Sequence, residues 1–236
     1  MAMLAFERGG VLRPDAELLG VGAGNEPTIY ALTQRVKRVF ATDLYAAGKW
    51  KESAANTMLF DPGRYWGGEW DPQRLVVQHM DGRELQYADA SFDGIFSSSS
   101  IEHFGDFDDV ARSLVEMHRV LRPGGVVSLS TEFRLGGPPP GMPGVLMFDR
   151  AQLESLLFGR GLSWQLLDGE LDTSMSAATR ATMQPFRDAD RDVRQHVKRH
   201  GALYWDRLEW SGHPHIVLKE GEREWTSVHV ALRKRG

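Results

Sequence analysis

The sequence contains no cysteine. That absence removes disulfides, thiolate metal sites, cysteine nucleophiles and iron–sulfur clusters, together with the radical chemistry such clusters start. Any chemistry must be polar. No apolar run approaches the roughly 20 residues needed to span a bilayer, and Met1 to Gly10 lacks the apolar core of a signal peptide. The expectation is a soluble, cytoplasmic protein with no membrane role. Positive charge is not in excess either: 28 Lys and Arg stand against 32 Asp and Glu, interspersed along the chain. Without a basic stripe to follow a phosphate backbone, nucleic acid is not an expected substrate. There is no internal repeat, and the proline-rich piece Gly136-Gly-Pro-Pro-Pro-Gly-Met-Pro-Gly144 is too short to separate two domains. The 236 residues therefore read as one domain over 1–236, with enough apolar content for a real core.

What is present is an alternation of strands and helices. Glu17 to Val21 reads as a short buried strand running into glycines, with Pro27 at the start of a helix through Tyr30, Leu32 and Val36. Val39 to Asp43 and Leu75 to Met80 are apolar runs that deliver acids, Asp43 and Asp81, at their carboxyl ends. Phe92 to Phe96 passes into Ser97-Ser-Ser-Ser100, and Val126 to Thr131 supplies a fifth strand. Between these two, Phe107, Val110, Leu114, Met117 and Leu121 recur at steps of three and four, with Asp106 as a cap and Arg122-Pro-Gly-Gly125 as a stop. Such an order argues for a doubly wound parallel sheet that binds ligands at its strands' carboxyl ends. Later residues predict a helix near 150–160, a strand near 162–167, a polar helix near 177–199, and strands near 215–219 and 225–232. The last two form a hairpin turning at Glu220-Gly221-Glu222. Residues 44–72 and 136–144 are expected to be loops near the strand ends.

Glycines at 20, 22 and 24, between a strand and a helix, let the backbone approach a ligand under the positive end of the helix dipole. The spacing fails the dinucleotide fingerprint, since Asn25 stands where its third glycine belongs and Pro27 interrupts the other register. A nicotinamide-dependent oxidoreductase is thereby disfavoured. Asp43 follows Gly20 by about the distance expected of an acid that accepts from ribose hydroxyls, with Leu44 beside it. Asp81 is placed to accept from an adenine amino group while the Gly82 amide donates to the ring. Three strand ends then suit one adenosine-containing ligand.

These pieces, with Ala90-Ser-Phe-Asp-Gly-Ile-Phe-Ser97, Ile101-Glu-His103 and Met117-His-Arg-Val-Leu-Arg-Pro-Gly-Gly125 in that order, resemble the class I S-adenosylmethionine-dependent methyltransferases, especially the methyltransferase type 11 group. The resemblance covers about residues 16–132. It implies a mostly parallel, seven-stranded Rossmann-like sheet with a C-terminal antiparallel hairpin, and S-adenosylmethionine as cofactor. Gly20, Val21, Gly22 and Gly24 would contact its methionine portion, Asp43 its ribose, Asp81 its adenine, and Ser97 and Ser98 its sulfonium end. The family's acid two residues before the first glycine is missing: Leu18 stands there, and alternation points Glu17 to the opposite side. Another carboxylate or water would have to serve the cofactor amine.

Methyl transfer needs alignment and exclusion of water more than a base. For a hydroxyl acceptor, Glu102 or His103 is the candidate base, against the alternative that each only ties down a neighbouring loop. His213 and His215 flank a proline, but with no carboxylate cluster they do not predict a metal. The charges from Arg187 to Arg199 read as a solvated face before they read as a grip on an acidic acceptor. Residues 170–213 are long enough for a lid or substrate-binding insertion. The expected reaction is O-methylation of a small molecule or glycan precursor. The alternative is a non-catalytic S-adenosylmethionine-binding partner subunit, and a homodimer or partner is allowed because only about fifteen residues precede the sheet.

Overall fold

A computed structural model of the chain describes residues 1–46, 56–188 and 217–236. The elements are α1 (Ala2–Gly9), β1 (Glu17–Val21), α2 (Pro27–Thr33), β2 (Arg38–Asp43), β3 (Leu75–His79), β4 (Phe92–Ser98), α3 (Phe107–Val120) and β5 (Leu121–Gly136), followed by β6 (Gly141–Met142) and β7 (Val145–Leu146). Then come α4 (Arg150–Phe158), β8 (Trp164–Leu166), α5 (Ala177–Arg180), β9 (Gln184–Pro185), β10 (Val217–Glu220) and β11 (Arg223–Lys234).

The main sheet runs β3-β2-β1-β4-β5-β11-β10-β9, and β8 pairs with β11 off that path. Pairings from β3 through β5 are parallel, as is β9 with β10; β11 is antiparallel to β5, β8 and β10. Strand order reverses between β1 and β4, the switch point at which such sheets leave a crevice for ligands.

Strand alternation divides the core in two. Leu19, Val21, Ile95, Val127 and Leu129 pack with α3 and α4 on one face, whereas Leu18, Val39, Ala41, Phe96 and Val126 pack with α1 and α2 on the other. Helix α3 is the best-specified helix. Asp106 and Asp109 form a reciprocal capping box, and Val110, Leu114 and Met117 are buried along one stripe. Burial of Leu114 or Met117 stabilises the pairing with the sheet by about 2 kcal/mol each. At the opposite end of the sheet from the crevice, buried Asp93 accepts from the Glu17 amide at 2.9 Å and from Arg13 at 2.6 Å and Arg122 at 2.5 Å. This network locks the entries of β1 and β4 together.

Three expectations change. The main sheet has nine strands among the described residues, not seven, because β11 is twelve residues long and its outer edge has room for both β10, opposite 223–226, and β8, opposite 232–234. The polar helix expected over 177–199 is interrupted: α5 ends at Arg180, Gln184 and Pro185 join the sheet, and the chain is helical again at 186–188; residues 189–199 lie outside the described residues. Residues 136–144 are not all loop: β5 continues to Gly136, and β6 and β7 form a small ribbon. The first ten residues contain a helix whose Phe6 is fully buried, edge-on to Phe96 at 6.5 Å.

Of the 44–72 segment, residues 44–46 and 56–72 are described. The latter turn in short 3-10 pieces and are pinned to α2 by Tyr30, which stacks on Trp66 at 5.5 Å, meets Trp70 edge-on at 5.4 Å and donates to the Pro62 carbonyl at 2.7 Å. His213, His215 and the expected lid beyond residue 188 lie outside the described residues. No helix among the described residues is long and apolar enough to cross a membrane.

Candidate active site

The carboxyl ends of β1, β2, β3 and β4 enclose a cavity of about 390 Å³. It is lined by Gly22 to Glu26, Asp43 and Leu44, Met80 to Arg83, Ser98 to Ser100, and His103 to Gly105. That size is ordinary for a small-molecule site.

The turn after β1 is held open by its glycines. Gly22 and Gly24 have φ of 63° and 51°, a region that disfavours side chains. A Cβ on Gly22 would lie 2.6 Å from the Ser100 Cβ. The Ser100 hydroxyl donates to the Gly22 carbonyl at 2.6 Å, and Tyr45 donates to the Gly24 carbonyl at 2.6 Å, so two strand exits fix the turn from below. Gly20 and Val21 do not line the cavity. Gly20 instead makes room for the Phe96 ring, which a Cβ would approach to 2.6 Å, and Val21 is fully buried against Gly82.

Asp43 sits on the cavity wall with its carboxylate accepting from the Gly24 amide at 2.8 Å and the Leu44 amide at 2.6 Å. Burial pushes its carboxyl above the usual aspartate range, while those two bonds and nearby His79 pull the other way. Each oxygen keeps a lone pair for another donor. Asp81 lines the opposite part of the cavity beside Gly82, where a side chain would collide with Val21 and Phe104. Its carboxylate is held by the Arg83 guanidinium at 2.6 and 2.9 Å, a pairing that keeps its carboxyl below the usual range.

The serine run separates by alternation. Ser97 is fully buried in the sheet and does not line the cavity, while Ser98, next in the strand, does. Ser99 turns the chain with a φ of 47°, its amide bound to the Ser130 carbonyl at 2.9 Å.

The Ile101-Glu-His103 piece is a 3-10 turn that sends its two candidates apart. Glu102 is 1% exposed, accepts from the Thr131 hydroxyl at 2.8 Å, and lies outside the cavity lining. Burial raises its carboxyl above the usual range. Another carboxylate, Glu132 on β5, is close enough for Glu102 to help burial push it up to about 7. His103 lines the cavity, with Nδ1 at 2.9 Å from the Gly144 carbonyl. A carbonyl only accepts, so Nδ1 carries the proton and Nε2 is the basic nitrogen of the neutral ring.

Cavity residues beyond those expected from the sequence include Glu26, Arg83, Ser100 and Phe104. Glu26 stands at the N-cap of α2 without capping it, with Ser98 and Asp43 nearby; burial, helped by Asp43, pushes its carboxyl up to about 7. Glu17 points elsewhere: it pairs with Lys37 at 3.0 Å and lies 3.7 Å from Arg122. Leu18 is fully buried.

The residues present fit an adenosine-bearing ligand, because the glycine turn leaves a cradle that a Cβ at position 22 would fill, and Asp43 keeps acceptor capacity beside it. Comparisons with known proteins agree. Residues 19–129 match the family model of a methyltransferase domain. Over 132 residues the chain is 35% identical to the 27-O-demethylrifamycin SV methyltransferase of Amycolatopsis mediterranei (strain S699), a match covering 56% of this chain and 43% of that protein. This chain thus spans less than half the length of that curated relative. Two solved structures share the fold. The (4+2)-cyclase SpnF has a TM-score of 0.61 at 18% identity, covering 99% of this chain and 79% of that one. Haemonchus contortus phosphoethanolamine N-methyltransferase 2, in complex with S-adenosyl-L-methionine, has a TM-score of 0.59 at 15% identity, covering 100% of this chain and 52% of that one. Residues 19–129 are therefore a class I S-adenosylmethionine-dependent methyltransferase domain.

Proposed function

We propose that the chain transfers a methyl group from S-adenosylmethionine to a hydroxyl oxygen of a small molecule, a glycan precursor being within that class. One observation carries the reading: His103, the cavity's candidate base, shares a single cavity with the glycine turn, Asp43 and Asp81. The name of the rifamycin methyltransferase relative, an O-methyltransferase of a small molecule, supports the choice of acceptor.

In this reading Asp43 accepts from the ribose hydroxyls and Asp81, with the Gly82 amide, meets the adenine. When bound, the cofactor supplies an electrophilic methyl on a sulfonium. An acceptor hydroxyl taking that methyl would give up its proton, and His103 Nε2 is the nitrogen that would receive it. The Gly144 carbonyl fixes which ring nitrogen does this. The chain's main contribution is orientation of the two reactants in the cavity.

A cyclase has the same fold, so fold alone does not set the reaction, and turnover has to be measured. Formation of S-adenosylhomocysteine across pools of hydroxylated small molecules is the test. Cofactor binding with no turnover in any pool would favour the non-catalytic partner role instead.

A further inference from the structure

Three carboxylates line the cavity, and two are already answered. Asp81 is neutralised by Arg83, and Asp43 receives two backbone amides. Glu26 is different. Ser98 is its polar neighbour across the cavity, and among the described residues no arginine, lysine or histidine side chain pairs with it. A carboxylate withdrawn from water beside a second one is stabilised by a cation brought between them. S-adenosylmethionine carries such a cation at the end away from its adenosine, the α-ammonium of its methionine half.

We propose that Glu26 is the carboxylate that grips the cofactor's α-ammonium, oriented for it by Ser98. The assignment rests on the cofactor reading above and deepens it. The strand position from which an acid would reach that amine is filled by buried Leu18, and Glu17 is turned away to Lys37. The acid has moved to the far side of the glycine turn, to the start of α2, where it looks across the cavity at Ser98 on β4. Pro27, directly after it, sets the first helical residue and so the direction from which Glu26 enters the cavity. The charged and polar groups around Glu26 are Asp43 from the end of β2, Tyr45 just beyond it, Ser98 from β4 and the amino group of Met1 from the start of α1.

Calorimetry with two ligands tests this. S-adenosylhomocysteine keeps the α-ammonium but has no sulfonium, and 5′-methylthioadenosine has neither. Loss of a charge-assisted bond in Glu26→Gln should weaken S-adenosylhomocysteine about 10- to 100-fold while leaving methylthioadenosine unchanged. Ser98→Ala should weaken the same ligand to a smaller degree and serves if Glu26→Gln is poorly folded. Wild-type affinity for S-adenosylhomocysteine should rise with pH through about 7, as Glu26 ionises, and the rise should be absent in Glu26→Gln. Equal losses for both ligands, no loss, or a loss confined to S-adenosylmethionine would overturn the assignment and leave the proposed function standing. A wild-type protein that binds neither ligand would overturn the proposed function itself.

Discussion

The Gly24 amide donates to the Asp43 carboxylate at 2.8 Å, so the turn after β1 and the end of β2 are held by one bond across the floor of the cavity. Asp43 therefore has a structural duty beside its proposed contact with ribose. Asp43→Ala should weaken S-adenosylhomocysteine and methylthioadenosine together by about 10-fold or more, and lower stability by about 1–3 kcal/mol through the orphaned Gly24 and Leu44 amides. Unchanged affinity for both ligands by calorimetry would remove the ribose from this position.

Gly22→Ala sets a side chain against Ser100 in a backbone conformation that resists one. The expected cost is about 1–3 kcal/mol, read as a fall in melting temperature of about 2–4 °C for each kcal/mol. Cofactor binding should be lost well below the melting temperature, because the turn itself must shift.

His103→Asn keeps a donor near the Gly144 carbonyl and removes the basic nitrogen. Turnover of a hydroxyl acceptor should fall about 100-fold or more, with the affinity for S-adenosylhomocysteine unchanged. An unaltered rate would show that the acceptor loses its proton to water.

Glu132 gives a pH prediction whose sign is fixed by its raised carboxyl. A group that takes up its proton more readily in the folded state stabilises the fold fully below its unfolded pKa, and that contribution is lost as pH rises through about 7. Glu132→Gln cannot titrate. It should melt above wild type at pH 8, and the gap should narrow toward pH 5.

Arg83 and Asp81 are each about one-third exposed, so their ion pair is worth little to the fold. Arg83→Ala should change stability by less than about 1 kcal/mol. Its effect should appear in nucleoside selectivity, measured as the ratio of adenosine to inosine ligand affinities, because Asp81 is then free to turn.

The placement of Gly22, Gly24, Asp43 and Asp81 on one cavity was legible because it follows from two local facts. Strands read by their apolar runs end where those runs end, and a parallel sheet brings its carboxyl ends to one edge. Glu26 was not legible, because an acid just before Pro27 looks like any helix start until its neighbour on β4 is known. The split between Ser97 and Ser98 follows from alternation, but its phase is set by which residues of β4 meet α3, and that is a tertiary fact. Glu102 and His103 are adjacent in sequence and diverge only because the chain takes a 3-10 turn there, sending the acid to Thr131. The sheet beyond β5 was under-counted because nothing in the residues of β11 announces that two short strands share its edge.

The position of β11 also bears on how the molecule is made. Among the described residues it is the strand furthest along the sequence and an interior strand of the sheet, paired with β5 over ten residues and tied by Arg233 to the Gly9 carbonyl. Among the described residues, the outer strands β8, β9 and β10 join the sheet only through it, so that this part of the sheet has no template until β11 docks. Contacts bridging so much sequence are slow to find, and refolding should be limited by this single insertion, with both halves of the sheet gaining protection from hydrogen exchange in the same phase.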